Sequence, residues 1–183
     1  MSNQLVEFSA TAQLLDGRNV SLRRLCADDA EAVMTLHRHL SDHDRYFRFF
    51  TMNRIDLDQL VGKMTEPADG QYALGAFDAD RLIGVANYMV GHDDPKAAEI
   101  AVAVAHEDHS LGVGTALLKQ LARIARAHGI GRFAADVLGE NQLMLMVFSD
   151  LGWPCKPIDY GSVRHLDIEL PDALTATVTN AIT

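Results

Sequence analysis

Residues 106–129 read HEDHSLGVGTALLKQLARIARAHG. Leu117, Leu121 and Ile124 recur at helical spacing, so this run predicts a helix stopped by Gly129 in a left-handed conformation. Gly112 and Gly114 stand at its entrance, where a missing side chain lets the backbone approach another group closely. A Walker-type phosphate loop would need Lys-Ser/Thr after the second glycine, and here Thr115-Ala116 follows. A dinucleotide fingerprint would need a third glycine where Leu117 stands, and its link from the preceding strand would be shorter. Two readings remain. Either His109–Thr115 is an anion site built from backbone amides and a helix dipole, or the glycines only turn the chain.

The segments around this run place it in a mixed α/β chain. Upstream, "AAEIAVAVA" alternates, with Ile100, Val102 and Val104 on one face and Glu99, Ala101 and Ala103 on the other. Before it, "QYALGAFDADRLIGVANYMV" predicts two strands joined at Asp78–Arg81. "DLDQLVGKMT" and "ADDAEAVMTLHRHL" predict helices, the latter with Ala30, Val33, Leu36 and Leu40 as its apolar stripe. "RYFRFF" does not declare its type. "TAQLLDGRNVSLRRL" predicts a hairpin turning at Asp16-Gly17. Downstream, "RFAADVL" predicts a strand, "NQLMLMVFSDL" a helix closed by Gly152, and "IDYGSVRHLDIEL" a hairpin. An antiparallel meander thus feeds one crossover unit.

The 183 residues suit one domain, expected over 1–170, with a loose tail over 171–183. Mean hydropathy near zero and 48% hydrophobic residues describe a folded chain. A net charge of −9 argues against a nucleic-acid partner. No run is apolar and long enough for a bilayer, and "MSNQLVEFSA" lacks the basic and apolar regions of a signal peptide. Two distant cysteines, Cys26 and Cys155, outside any CxxC pair, fit a reducing cytoplasmic location.

The segment Glu99–Trp153 resembles the acetyl-CoA-binding core of the GNAT superfamily of N-acetyltransferases. The family loop, Gln/Arg-x-x-Gly-x-Gly/Ala, stands here as His109-Ser110-Leu111-Gly112-Val113-Gly114. The downstream Asn, aromatic and Gly-aromatic stand as Asn141, Phe148 and Gly152-Trp153. Within the superfamily, "RYFRFF", "AAEIAVAV" and "VLGENQLMLMVFSDLGW" are most similar to bacterial protein-lysine acetyltransferases. The resemblance implies an acyl-CoA N-acyltransferase fold. Its mostly antiparallel sheet would have about six to seven strands, flanked by about four helices.

The resemblance also implies acetyl transfer from acetyl-CoA to a primary amine, a protein lysine by preference and a small amine otherwise. A non-catalytic acyl-CoA-binding regulator of the same fold is the rival from another class. Cofactor contacts are expected from Val102, Ala103, Val104, His109, Ser110, Leu111, Gly112, Val113, Gly114, Thr115, Asn141 and Phe148. Ser110-Leu111 replaces the family's common Gly-Lys, and Phe148 replaces a Tyr that could donate a proton. Glu99, alone, reads as a half-exposed strand glutamate or as a base beside small alanines. The resemblance favours the base. His37, His39 and His43 read as a solvated helix end, and His106 and His109 as loop surface, so no metal is expected. Oligomeric state is left open.

Overall fold

The computed structural model describes residues 9–49 and 55–172. Eight strands form one sheet, in the order β1-β2-β3-β4-β5-β6-β8-β7. They are β1 (Ala10–Gln13), β2 (Asn19–Arg24), β3 (Gln71–Asp78), β4 (Arg81–Val90), β5 (Ala97–Val104), β6 (Arg132–Leu138), β7 (Cys155–Tyr160) and β8 (Val163–Glu169). Five helices accompany them: α1 (Ala30–Arg38), α2 (Asp42–Phe49), α3 (Leu57–Thr65), α4 (Val113–Ala127) and α5 (Gln142–Leu151). Both counts exceed the sequence expectation. The extra strand comes from both terminal hairpins joining the one sheet. The extra helix is α2, which resolves the aromatic segment. Nothing of the tail beyond 172 lies among the described residues.

Every neighbouring pair is antiparallel except β5 and β6. A parallel pair needs a crossover, and α4 supplies it. The long apolar stripe foreseen for α4 is buried: Leu117, Leu118, Leu121 and Ile124 are fully shielded. They pack with Leu74, Ile83, Ile100 and Phe133 in the larger core cluster. On the opposite face, Val33 and Leu36 of α1 and Leu40 just beyond it pack with Val61 and Met64 of α3 against Phe77, Leu82, Val85 and Ala103. Strand alternation assigns each residue to its side.

That alternation slips once. Ala76 pairs with Gly84 and Phe77 with Leu82, which leaves Ile83 as an extra residue. The resulting bulge lets Leu82 and Val85 reach the same cluster despite their odd spacing. Gly84 beside it has a separate task. A Cβ there would come within 3.0 Å of Val113 and 3.1 Å of Leu117. Without that Cβ, the first turns of α4 close onto β4, which fixes where the helix begins.

Candidate active site

β5 and β6 are hydrogen-bond neighbours over three residue pairs only: Ala97–Arg132, Ala98–Phe133 and Glu99–Ala134. Beyond Glu99, β5 pairs only with β4, and β6 only with β8. The strands therefore part at Glu99 and leave one backbone edge of each strand free inside the molecule. An unpaired edge is a template for an extended ligand.

A cavity of about 550 Å³ occupies this wedge. Glu99 lines it at the vertex, Val102, Ala103 and Val104 along β5, and Asn141 and Phe148 from α5. His109, Ser110, Gly112, Val113, Gly114 and Thr115 line its far end. Leu111, also expected at the site, contributes no lining. Its side chain packs on the larger core cluster, and its carbonyl accepts a bond from the Leu15 amide at 3.0 Å. Asn141 is first a helix cap, its Oδ1 accepting from the Met144 amide at 3.1 Å. Phe148 is half-buried, with its ring beside the wedge.

The loop is shaped for backbone presentation. Ser110 has φ of 60° and Gly112 has φ of 89°, both left-handed. Glycine reaches that region without strain, whereas serine at 110 bears a cost there. Among the described residues, no amide from Ser110 to Thr115 donates to a backbone carbonyl. These donors sit at the entrance of the fifteen-residue α4, where the helix dipole adds positive character. From below, buried Asp108 anchors the loop. Its Oδ1 accepts from Arg18 at 2.8 Å, and its Oδ2 lies 3.0 Å from Arg81. Arg18 also bonds Asp16 and Asp78, so the first hairpin is tied to the loop.

The other wall of the cavity was not legible in the sequence. α2 lies across the face of β5 that carries Glu99 and Ala101. Asn87, the cross-strand partner of Ala101, shares that face. Arg48 of α2 donates to Asn87 Oδ1 at 3.4 Å, a long contact, while its buried Nε has no partner. Burial pushes the Arg48 guanidinium down to about 10, and the Glu99 carboxylate pulls in the opposite sense. Phe47 and Phe49 flank it in the cavity wall. The one available signal was an arginine inside an aromatic cluster. Behind it, His37, expected at a solvated helix end, is instead almost wholly buried, because its face of α1 turns to the core. Its Nδ1–H donates to the Val33 carbonyl at 2.8 Å, and its Nε2 has no partner. Burial pushes His37 down to about 4, because the charged ring would lack water. No described helix is long and apolar enough to cross a membrane.

A sheet split after a three-pair parallel junction, with an amide-rich loop at the open end, defines a class of acyl-transfer fold. The model of the acetyltransferase (GNAT) family matches residues 32–153, and the chain belongs to that family. It is similar to the GNAT domain of S. lividans PAT. Identity is 31% with a TM-score of 0.79, covering 88% of this chain and 97% of that one. An acetyltransferase of Pseudomonas aeruginosa is 27% identical over 143 residues, 75% of this chain and 76% of the relative. The fold is shared with yncA of Salmonella typhimurium, described as a structure with its cofactor acetyl-CoA. There the TM-score is 0.62 at 16% identity, covering 82% and 91% of the two chains.

Proposed function

We propose that this acetyltransferase moves the acetyl group of acetyl-CoA directly to a primary amine, with a protein lysine side chain as the preferred acceptor. The observation that carries the reading is the parting of β5 and β6 immediately after Glu99. An acyl-pantetheine arm laid along Val102–Val104 completes the open edge. Its pyrophosphate meets the amides of His109–Thr115. The thioester then lies near the vertex, where Glu99 stands.

Glu99 acts as the general base. An ammonium has no lone pair, so a proton must leave the acceptor before its nitrogen can attack the thioester carbon. Glu99 takes that proton through water. The C–N bond forms, the C–S bond breaks, and the departing thiolate takes up a proton from solvent, since Phe148 has none to give. A β5 amide donates to the oxyanion of the tetrahedral intermediate. The apolar rings of Phe47 and Phe49 suit the four-carbon stem of lysine. The similarity to the S. lividans PAT domain and the aromatic α2 segment support a protein acceptor. A cytoplasmic setting fits the two free cysteines.

One observation favours a second acceptor. Among the described residues, Arg48 has no carboxylate as a hydrogen-bond partner. A small amine bearing a carboxylate would satisfy it with a charge-assisted bond. Mass spectrometry of acetyl-CoA reactions with a lysine-peptide panel and an amino-acid panel decides between the two. Turnover confined to peptides supports the lysine reading. Turnover confined to amino acids, and weakened by Arg48→Gln through KM, replaces it with the small-amine reading. Thermal stabilisation by acetyl-CoA without turnover on any acceptor would reinstate the regulator.

A further inference from the structure

One turn of α2 back from Arg48, a second group of polar side chains converges. Asp44, His106 and His109 each offer one ligand atom, and these atoms lie within 4.8 Å of one another. Asp44 belongs to α2. The histidines belong to the turn that joins β5 to the glycine loop. Their pairing follows from local geometry. His106 opens a 3₁₀ turn and His109 follows its last residue, and side chains three apart eclipse in such a turn. The two ring centroids are 5.0 Å apart.

One pair is already spaced for a small cation. His106 Nδ1 lies 3.2 Å from Asp44 Oδ2. Two ligands on a tetrahedral zinc with bonds of 2.0–2.1 Å stand about 3.3 Å apart. His109 is oriented through its other nitrogen. Its Nε2 is 3.0 Å from the Val104 carbonyl, which can only accept, so Nε2 carries the proton. The neutral ring then presents Nδ1 as a lone pair. A backbone carbonyl on the far nitrogen is the usual support of a metal-bound histidine. Asp44 is steadied too, because the Ser41 hydroxyl donates to its Oδ2 at 2.7 Å.

We propose that Asp44, His106 and His109 form a binding site for a divalent cation of the zinc type. Two imidazoles and one carboxylate suit zinc better than magnesium or calcium, which prefer oxygen alone. Three protein ligands leave one position for water or an incoming oxygen ligand. Asp44 and His109 line the cavity beside a loop, His109–Thr115, that carries no lysine or arginine. A dication there brings positive charge to that end of the cavity and joins α2 to the loop. The sequence shows the His-x-x-His pair, but the third ligand lies 62 residues away and meets it only in the fold.

The site is tested on full-length, tag-free protein stripped with chelator. Calorimetric titration with zinc chloride should give one equivalent bound. Cobalt chloride should give the visible absorption of a four-coordinate centre, and zinc should raise the melting temperature. His106→Ala should weaken zinc at least about tenfold while leaving the metal-free acetyl-CoA thermal shift in place. Asp44→Asn should also weaken zinc. Cys26 and Cys155 are free and exposed, so the Cys26→Ser/Cys155→Ser variant is the control and should bind zinc like wild type. No stoichiometric binding, equal binding in His106→Ala, or loss of binding in the cysteine variant would overturn the site. The contact between His106 and Asp44 would then be a hydrogen bond and nothing more. No step of this test requires acetyl-CoA turnover, so it stands whether or not the acceptor assignment does.

Discussion

The two walls of the wedge are built differently. The wall formed by α4 rests on an apolar layer, with four leucine and isoleucine side chains of the helix at zero exposure, and its loop is tied down by the ion pairs of Asp108. The wall formed by α2 has no buried residue among its eight. Beneath and within it lie two of the three orphaned buried side-chain atoms among the described residues, His37 Nε2 and Arg48 Nε. The first wall is a rigid platform suited to a ligand common to the whole family. The second is polar and incompletely satisfied. Fixed parts are packed, and variable parts are left with unspent hydrogen-bonding capacity.

The strongest way to break this contrast is at the vertex where the walls meet. Glu99→Gln keeps the shape but cannot take a proton. It should lower kcat at pH 7 by about 10²-fold or more, with part of the rate recovered as pH rises and free amine becomes common. Acetyl-CoA affinity should stay near wild type. A wild-type kcat across that range would move the base elsewhere, and Asp136, which lines the cavity in contact with His165, would be next in line.

The polar wall makes a pH prediction. His37 sits at about 4 in the fold against 6.5 in an unfolded chain. Between those values the unfolded chain binds a proton that the fold excludes. Its contribution to stability is therefore complete above pH 6.5 and is lost as pH falls towards 4, by up to about 3 kcal/mol. Denaturant titrations from pH 7 to 4 should show that loss, and His37→Leu should flatten it. An equally steep profile in the variant would assign the loss to other groups.

The packed wall is challenged by Gly112→Glu, which places bulk and negative charge at a left-handed position facing the loop's amides. Wild type should gain about 2.7 kcal/mol from acetyl-CoA at a hundredfold excess over Kd, and the variant should gain nothing. An unchanged thermal shift would place the cofactor outside the loop. The smallest effect is expected at Phe148. Its ring is half-buried, so Phe148→Ala should cost about 2 kcal/mol, below the range for a fully buried ring. Phe148→Tyr should retain activity, or raise it where thiolate departure limits the rate. Wild-type stability in Phe148→Ala would show that the ring adds no packing at the wedge.

The same contrast explains what the sequence revealed. The packed wall was legible because its signals are local. Two glycines and a helical stripe sit within one crossover unit, and the Asn141-to-Phe148 spacing lies within the helix that follows it. Glu99 was legible because alternation fixes its face. The polar wall was not. "RYFRFF" carries aromatics on every side, so no periodicity fixes its type. Arg48 and Asp44 gain meaning only from what α2 lies across. That the Leu111 side chain turns to the core was not legible, because a loop residue's direction depends on left-handed φ at its neighbours, Ser110 and Gly112, which spacing does not encode. The last hairpin was legible, but β7 starts earlier than Ile158, at Cys155 and across Pro157, where strand pattern is weak.

The three-pair junction between β5 and β6 also governs how the molecule holds together over time. The sheet is two smaller sheets, β1–β5 and β6–β8, meeting at a seam shorter than an average strand. Beyond the seam, residues 100–104 pair with β4 alone and have no strand on their other side. Amide exchange is fastest where backbone bonds are few and exposed. An extended ligand laid along that edge would act as a removable ninth strand. Resistance of this segment to proteolysis should then rise when such a ligand is bound.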